Sequence, residues 1–66
     1  MSAALAQPAA IPVGVIKTFG EFGPMYEILG PALRGPKGEM VAIRVVLSGE
    51  ELDYPVADMM EDPVAP

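Results

Sequence analysis

The chain has 66 residues, with nine acidic side chains against four basic ones and a net charge of −5. It contains neither cysteine nor histidine, which excludes disulfides and the usual zinc or copper sites. Such a length supports one small domain, and with roughly 50 residues left to build a core, burial is marginal unless packing is very regular or a partner covers part of it.

The placement of charge narrows the function classes further. Six of the nine acids (Glu50, Glu51, Asp53, Asp58, Glu61, Asp62) fall in the last 17 residues, whereas Lys17, Arg34, Lys37 and Arg44 are scattered. Nucleic-acid binding draws on clustered Lys and Arg for phosphate contacts, so this balance argues against it. An acidic surface suits a basic partner protein, and it also keeps a small domain in solution. No apolar run reaches the length of a membrane span. Gln7 and Pro8 interrupt the start too early for a secretory signal, so a cytoplasmic location without membrane association is expected.

In chain order, residues 1–12 are rich in Ala and Pro without periodicity and read as a flexible arm. Residues 13–62 form the domain, and 63–66 a tail. Val13 to Phe19 is β-branched and aromatic, hence a first strand. Lys17 shares a face there with Val13, Val15 and Phe19, a mixed pattern that suggests an edge strand on which lysine discourages stray pairing. Gly20 to Pro24 is a turn cluster. Phe22 within it is expected to fold back over the sheet, or else to join Phe19 as an aromatic contact for a partner. Met25 to Leu29 is the second strand, with Tyr26 and Ile28 on one face. Gly30-Pro31 bends it, Ala32 to Arg34 resumes pairing weakly, and Gly35 to Gly38 is a turn.

The stretch from Met40 to Tyr54 reads as a hairpin. Val41, Ile43, Val45 and Leu47 alternate with Ala42, Arg44 and Val46, the period of a strand buried on one face. With Ser48-Gly49 as a two-residue turn, Ile43 faces Tyr54, Val45 faces Leu52, and Arg44 faces Asp53. A register slipped by one would set Arg44 beside Leu52 and Val45 beside Glu51, which rules it out. After Tyr54-Pro55 the period changes. Val56, Met59 and Met60 lie at helical spacing, with Asp53 as N-cap, Pro55 in the first turn and Pro63 ending about two turns of helix. So short a helix must dock its apolar side to persist. The fold expected is mainly β: a small antiparallel sheet of three to four strands with a short C-terminal helical turn. An open Src-homology-type barrel is one form such a sheet takes.

Chemistry finds little to work with. Ser48 sits in a hairpin turn with no nucleophile-elbow pattern around it. Glu50 and Glu51, being adjacent on a strand, point to opposite faces and do not share a substrate. The acidic end lacks the ligand alternation and central glycine of a calcium loop, and no glycine-rich phosphate loop precedes a helix. No catalytic residue, cofactor or metal is expected. What remains suits binding: the acidic, methionine-bearing end Asp58-Met59-Met60-Glu61-Asp62, with Glu50, Glu51 and Phe22.

The segments F-G-E-F-G-P-M-Y-E-I-L-G-P (Phe19 to Pro31) and V-A-I-R-V-V-L-S-G-E-E-L-D-Y-P-V-A-D-M-M-E-D-P (Val41 to Pro63) resemble a family of short, mostly proteobacterial proteins catalogued as a domain of unknown function. S-G-E-x-L-D-Y-P-x-A-D-M is the most specific part. The resemblance implies small stand-alone bacterial proteins of a kind often encoded in mobile or accessory regions, and it carries no activity or site residue with it. The function expected from the residues is a non-enzymatic, acidic interaction protein that restrains a basic partner, as antitoxins and mobile-element inhibitors do. Homodimerisation is a second way to cover its apolar surface. The rival readings are a single-strand nucleic-acid binder stacking bases on Phe19, Phe22 and Tyr26 beside Lys17, Arg34 and Lys37, and a structural subunit of a larger assembly.

Overall fold

The computed structural model describes residues 11–32 and 38–66. Residues 1–10 of the expected arm, and with them Leu33, Arg34 and residues 35–37 of the turn expected from Gly35 to Gly38, lie outside the described residues. Four strands, β1 (Ile16–Thr18), β2 (Met25–Pro31), β3 (Met40–Val45) and β4 (Glu51–Pro55), form an antiparallel sheet in that order. A short helix, α1 (Val56–Glu61), follows β4 directly. The fold is mainly β, as the alternating pattern of the sequence implies.

Among the described residues no ladder joins β4 to β1, so the sheet is open. The chain nevertheless returns to its first strand. Thr18 N donates to the Pro63 carbonyl at 3.1 Å, Ala65 N donates to the Ile16 carbonyl at 2.9 Å, and Lys17 and Val64 form an isolated bridge. Residues 63–66, which read as a tail, thus run beside the outer edge of β1. Helix α1 carries the chain from the β4 side of the sheet to the β1 side.

The central hairpin keeps its faces but not its expected register. Val41 pairs with Tyr54, Ile43 with Leu52, and Arg44 with Glu51 rather than Asp53. The reason is the turn. Val45 N donates to the Glu50 carbonyl and Gly49 N to the Val45 carbonyl, both at 2.8 Å, so Val46 to Gly49 all belong to the loop, and Gly49 closes it at φ 76°. A slip of two residues leaves every side chain on its original face, which is why alternation alone does not detect it. Leu47, expected on the core face, consequently lies in the turn and is 93% exposed.

The core lies on one face of the sheet. Tyr26 and Ile28 of β2, Val41 and Ile43 of β3, and Val56 and Met59 of α1 are buried, with Ile11, Val15, Phe19 and Tyr54 packed around them. Burying each such side chain contributes about 1.5–3 kcal/mol, so these few residues carry most of the driving force. The helix docks through Val56 and Met59 at i and i+3, while Met60 remains exposed. Pro55 holds the N-cap position and Asp53 lies within β4, so the expected aspartate cap does not form. On the opposite face Arg44 bridges two strands. Its guanidinium is 2.7 Å from Glu27 of β2 and 3.7 Å from Glu51 of β4.

Candidate interaction surface

The two β-turns beside β2 and β3 meet at one end of the sheet. Tyr26 pairs with Val45, and Val46 N donates to the Met25 carbonyl at 3.0 Å, so the β1–β2 turn and the β3–β4 turn flank the same edge. Phe22 stands at the first turn and Leu47 at the second, 96% and 93% exposed, with the half-exposed Met25 and Val46 between them in the chain's path. Glu21, Glu50 and Glu51 in the same segments are also exposed. This end of the molecule is therefore an apolar tip set among carboxylates.

Phe22 does not fold back over the sheet as expected, because its neighbour Phe19 already occupies that place. Phe19 packs at ring-centroid distances of 4.4 Å from Tyr26 and 5.2 Å from Tyr54. Phe19 N donates to the Pro24 carbonyl at 3.0 Å, closing the turn. A Cβ on Gly23 would fall on the Phe19 carbonyl oxygen, so only glycine allows the chain to double back so tightly. Among the described residues nothing covers Phe22 at the apex, where it is 96% exposed.

The acidic, methionine-bearing segment divides into two roles. Asp58, Met60 and Glu61 are exposed on α1 and remain available to a partner. Met59, expected at the binding surface, is instead fully buried in the core. Asp62 is engaged within the molecule: its carboxylate accepts from the Tyr26 hydroxyl at 2.7 Å, the Tyr54 hydroxyl at 3.0 Å and the Gly20 amide at 3.0 Å. The Gly20 contact sets the end of α1 against the turn that carries Phe22. The helix and the tip are thus neighbours.

Lys17 completes this network from beneath. It is 8% exposed, and its ammonium donates to the Met59 carbonyl at 2.7 Å. A buried ammonium is costly unless hydrogen-bonded, and the carbonyl end of a helix offers it a partial negative charge. Lys17 therefore anchors α1, in place of the edge-guarding role its position in the sequence suggests. Burial alone would raise the Asp62 carboxyl, but the Gly20 amide, the two tyrosine hydroxyls and the Lys17 charge outweigh it and hold Asp62 below its ordinary value. Burial first, then the bond to Asp62, pushes Tyr54 up to about 12 and Tyr26 further in the same direction.

The two hydroxyls, both donating to Asp62, join the end of α1 to β2 and β4 as a latch. The network escaped sequence reasoning because Lys17, Tyr26, Tyr54 and Asp62 are far apart in the chain. One local signal pointed to it: a lysine on an otherwise apolar strand face.

Of the stacking platform expected for single-stranded nucleic acid, Phe22 is exposed, while Tyr26, Phe19 and Lys17 are taken up within the molecule. Tyr26 is fully buried, Phe19 is packed in the core, and the Lys17 ammonium is committed to Met59. Arg34 and Lys37 lie outside the described residues. Among the described residues no helix is long and apolar enough to cross a membrane.

Residues 4–66 match the model of a family of unknown function, DUF5397. The chain is also 41% identical over 56 residues to a protein of Haemophilus influenzae described as uncharacterized, an alignment that spans 83% of this chain and 89% of that one.

Proposed function

We propose, from the premise that the chain belongs to DUF5397, a family of unknown function, that it is a non-enzymatic interaction module that docks its apolar, acid-rimmed end on a more basic partner protein. One observation carries this reading: Phe22 and Leu47 are almost wholly exposed at the same end of the sheet, with Met25 and Val46 beside them. Large apolar side chains clustered in this way are unfavourable in water and mark interaction sites. The exposed acids around them favour a partner whose rim is basic, and they raise its rate of encounter. The internal chemistry supports the same view. Every buried side-chain polar atom among the described residues has a hydrogen-bond partner, so the Lys17, Tyr26, Tyr54 and Asp62 groups are already satisfied by one another. The finer reading is that binding restrains the partner's activity, in the manner of an antitoxin or a mobile-element inhibitor.

The test is photo-crosslinking in the native host from a reactive residue at the exposed position 48, present both in the otherwise unaltered chain and in the Phe22→Ser, Leu47→Ser double variant. A discrete basic protein that is captured by the parent chain and lost with the double variant, at unchanged melting temperature, is the expected result. Capture that is indifferent to both substitutions would sink the proposal.

A further inference from the structure

Among the described residues β4 is the last strand of the sheet and pairs on one side only. Which of its backbone groups are used follows from the ladder. Val45 N donates to the Glu50 carbonyl at 2.8 Å, and Val56 N donates to the Glu39 carbonyl at 2.9 Å. With Leu52 opposite Ile43 and Tyr54 opposite Val41, Leu52 and Tyr54 are the positions that hydrogen-bond inward. Glu51 and Asp53 alternate with them and turn their N–H and C=O groups away from β3. Pro55 is the next outward position and has no N–H to offer, so the open ladder is short.

The side chains along this edge specify what it takes. Glu51 and Asp53 are exposed on the face opposite the core, and Leu52 is 37% exposed on the core side. Asp53 lies across from Ala42, while among the described residues Glu51 has only the longer of the two contacts made by Arg44. A second copy is a poor occupant. Two β4 strands paired about a two-fold axis would set Glu51 and Asp53 directly against carboxylates of the other chain on one face, an unfavourable arrangement.

We propose that the free edge of β4 accepts an extended segment of a different, basic protein as an added strand. Its backbone pairs with Glu51 and Asp53, two Lys or Arg side chains spaced two residues apart face these acids, and an apolar residue between them covers Leu52. The proposal deepens the interaction reading above and rests on it for the charge of the partner.

The full chain, isotopically labelled, tests it with three blocked heptapeptides: one alternating lysine and valine, one with glutamate in place of lysine, and one with the lysine peptide's residues scrambled out of alternation. The alternating lysine peptide is expected to slow amide exchange at Glu51 and Asp53 by about tenfold or more, and the other two to leave it unchanged. Asp53→Pro, tolerated at an outward edge position, should abolish the slowing at Glu51. Replacing both acids, Glu51→Lys with Asp53→Lys, should turn the preference towards the glutamate peptide. No slowing at millimolar peptide, equal slowing by all three peptides, or slowing that grows with protein concentration alone would each overturn the proposal, the last by naming a second copy as occupant. The Phe22→Ser, Leu47→Ser variant separates the two readings. Peptide pairing that survives in it while partner capture is lost supports both. Capture that depends on the tip but is unaffected by Asp53→Pro sinks the edge alone.

Discussion

Asp62 and Tyr26, 36 positions apart in the chain, are joined by a 2.7 Å hydrogen bond that fixes the end of α1 to the second strand. Tyr54 donates to the same carboxylate oxygen at 3.0 Å. Asp62→Ala leaves two hydroxyls without their acceptor, and removing a partner from a buried donor costs about 1–3 kcal/mol for each group stranded. A lower melting temperature is expected, with Asp62→Asn intermediate because its amide oxygen still accepts. Equal stability of all three proteins in a thermal melt would show that the latch contributes nothing.

The same groups set a pH window for stability. The folded pKa of Asp62 is depressed, so its contribution is present above the ordinary carboxyl range and is lost as pH falls through the folded value, below about pH 4. The tyrosines are raised, so theirs is present below about pH 10 and is lost as pH climbs beyond it towards their folded values. The chain has two tyrosines and no tryptophan, so phenolate absorbance reads them alone. Ionisation should be delayed and should coincide with unfolding by circular dichroism. Phenolate formation at an ordinary pKa in a chain that stays folded would contradict the hydrogen-bonded geometry.

Two glycines should fail for different reasons. Gly23→Ala places a methyl group on the Phe19 carbonyl oxygen and should cost about 2 kcal/mol or more, because backbone must move. Gly49→Val meets no atom within 4 Å but sits at φ 76°, so its cost is conformational, about 1 kcal/mol or more. Denaturant unfolding of the two variants measures both. A Gly23→Ala protein as stable as the parent would mean that the turn opens freely.

Arg44 offers a check on register. It contacts Glu27 and Glu51, while Asp53 is paired with Ala42. Double-mutant cycles should return a coupling of roughly 0.2–1 kcal/mol with Glu27, weakened by salt, and none with Asp53. Coupling to Asp53 in place of Glu27 would restore the tighter two-residue turn.

The strands and the short C-terminal helix were legible because period-two alternation and i, i+3 spacing are local signals. Val41 and Ile43 are buried as the alternation requires, and Val56 and Met59 as the helical spacing requires. The turn length was not legible. Ser48-Gly49 satisfies a two-residue turn and a four-residue loop equally well, and only the hydrogen bonds of Val45 distinguish them. Phe22 was misplaced because hydrophobicity alone does not reveal that Phe19 packs against Tyr26 and Tyr54. At the surface, Asp58, Met60 and Glu61 remain exposed where composition put them, whereas Asp62 was drawn inward by tyrosines that no spacing rule connects to it.

The return of residues 63–65 to β1 has a consequence for how the chain is made. Synthesis delivers Lys17 and Tyr26 before Met59 and Asp62, so until the helix docks the ammonium and phenol of the first two strands are hydrogen-bonded to water instead of to their folded partners. β2, β3 and β4 can zip together as each leaves the ribosome, since they are neighbours in sequence. β1 has only three residues and gains its outer partner when Pro63 and Ala65 emerge. The outer edge of β1 thus stays open until residues 63–65 dock, and a chain cut before Asp62 is expected to exchange its Thr18 amide freely while β2, β3 and β4 remain paired.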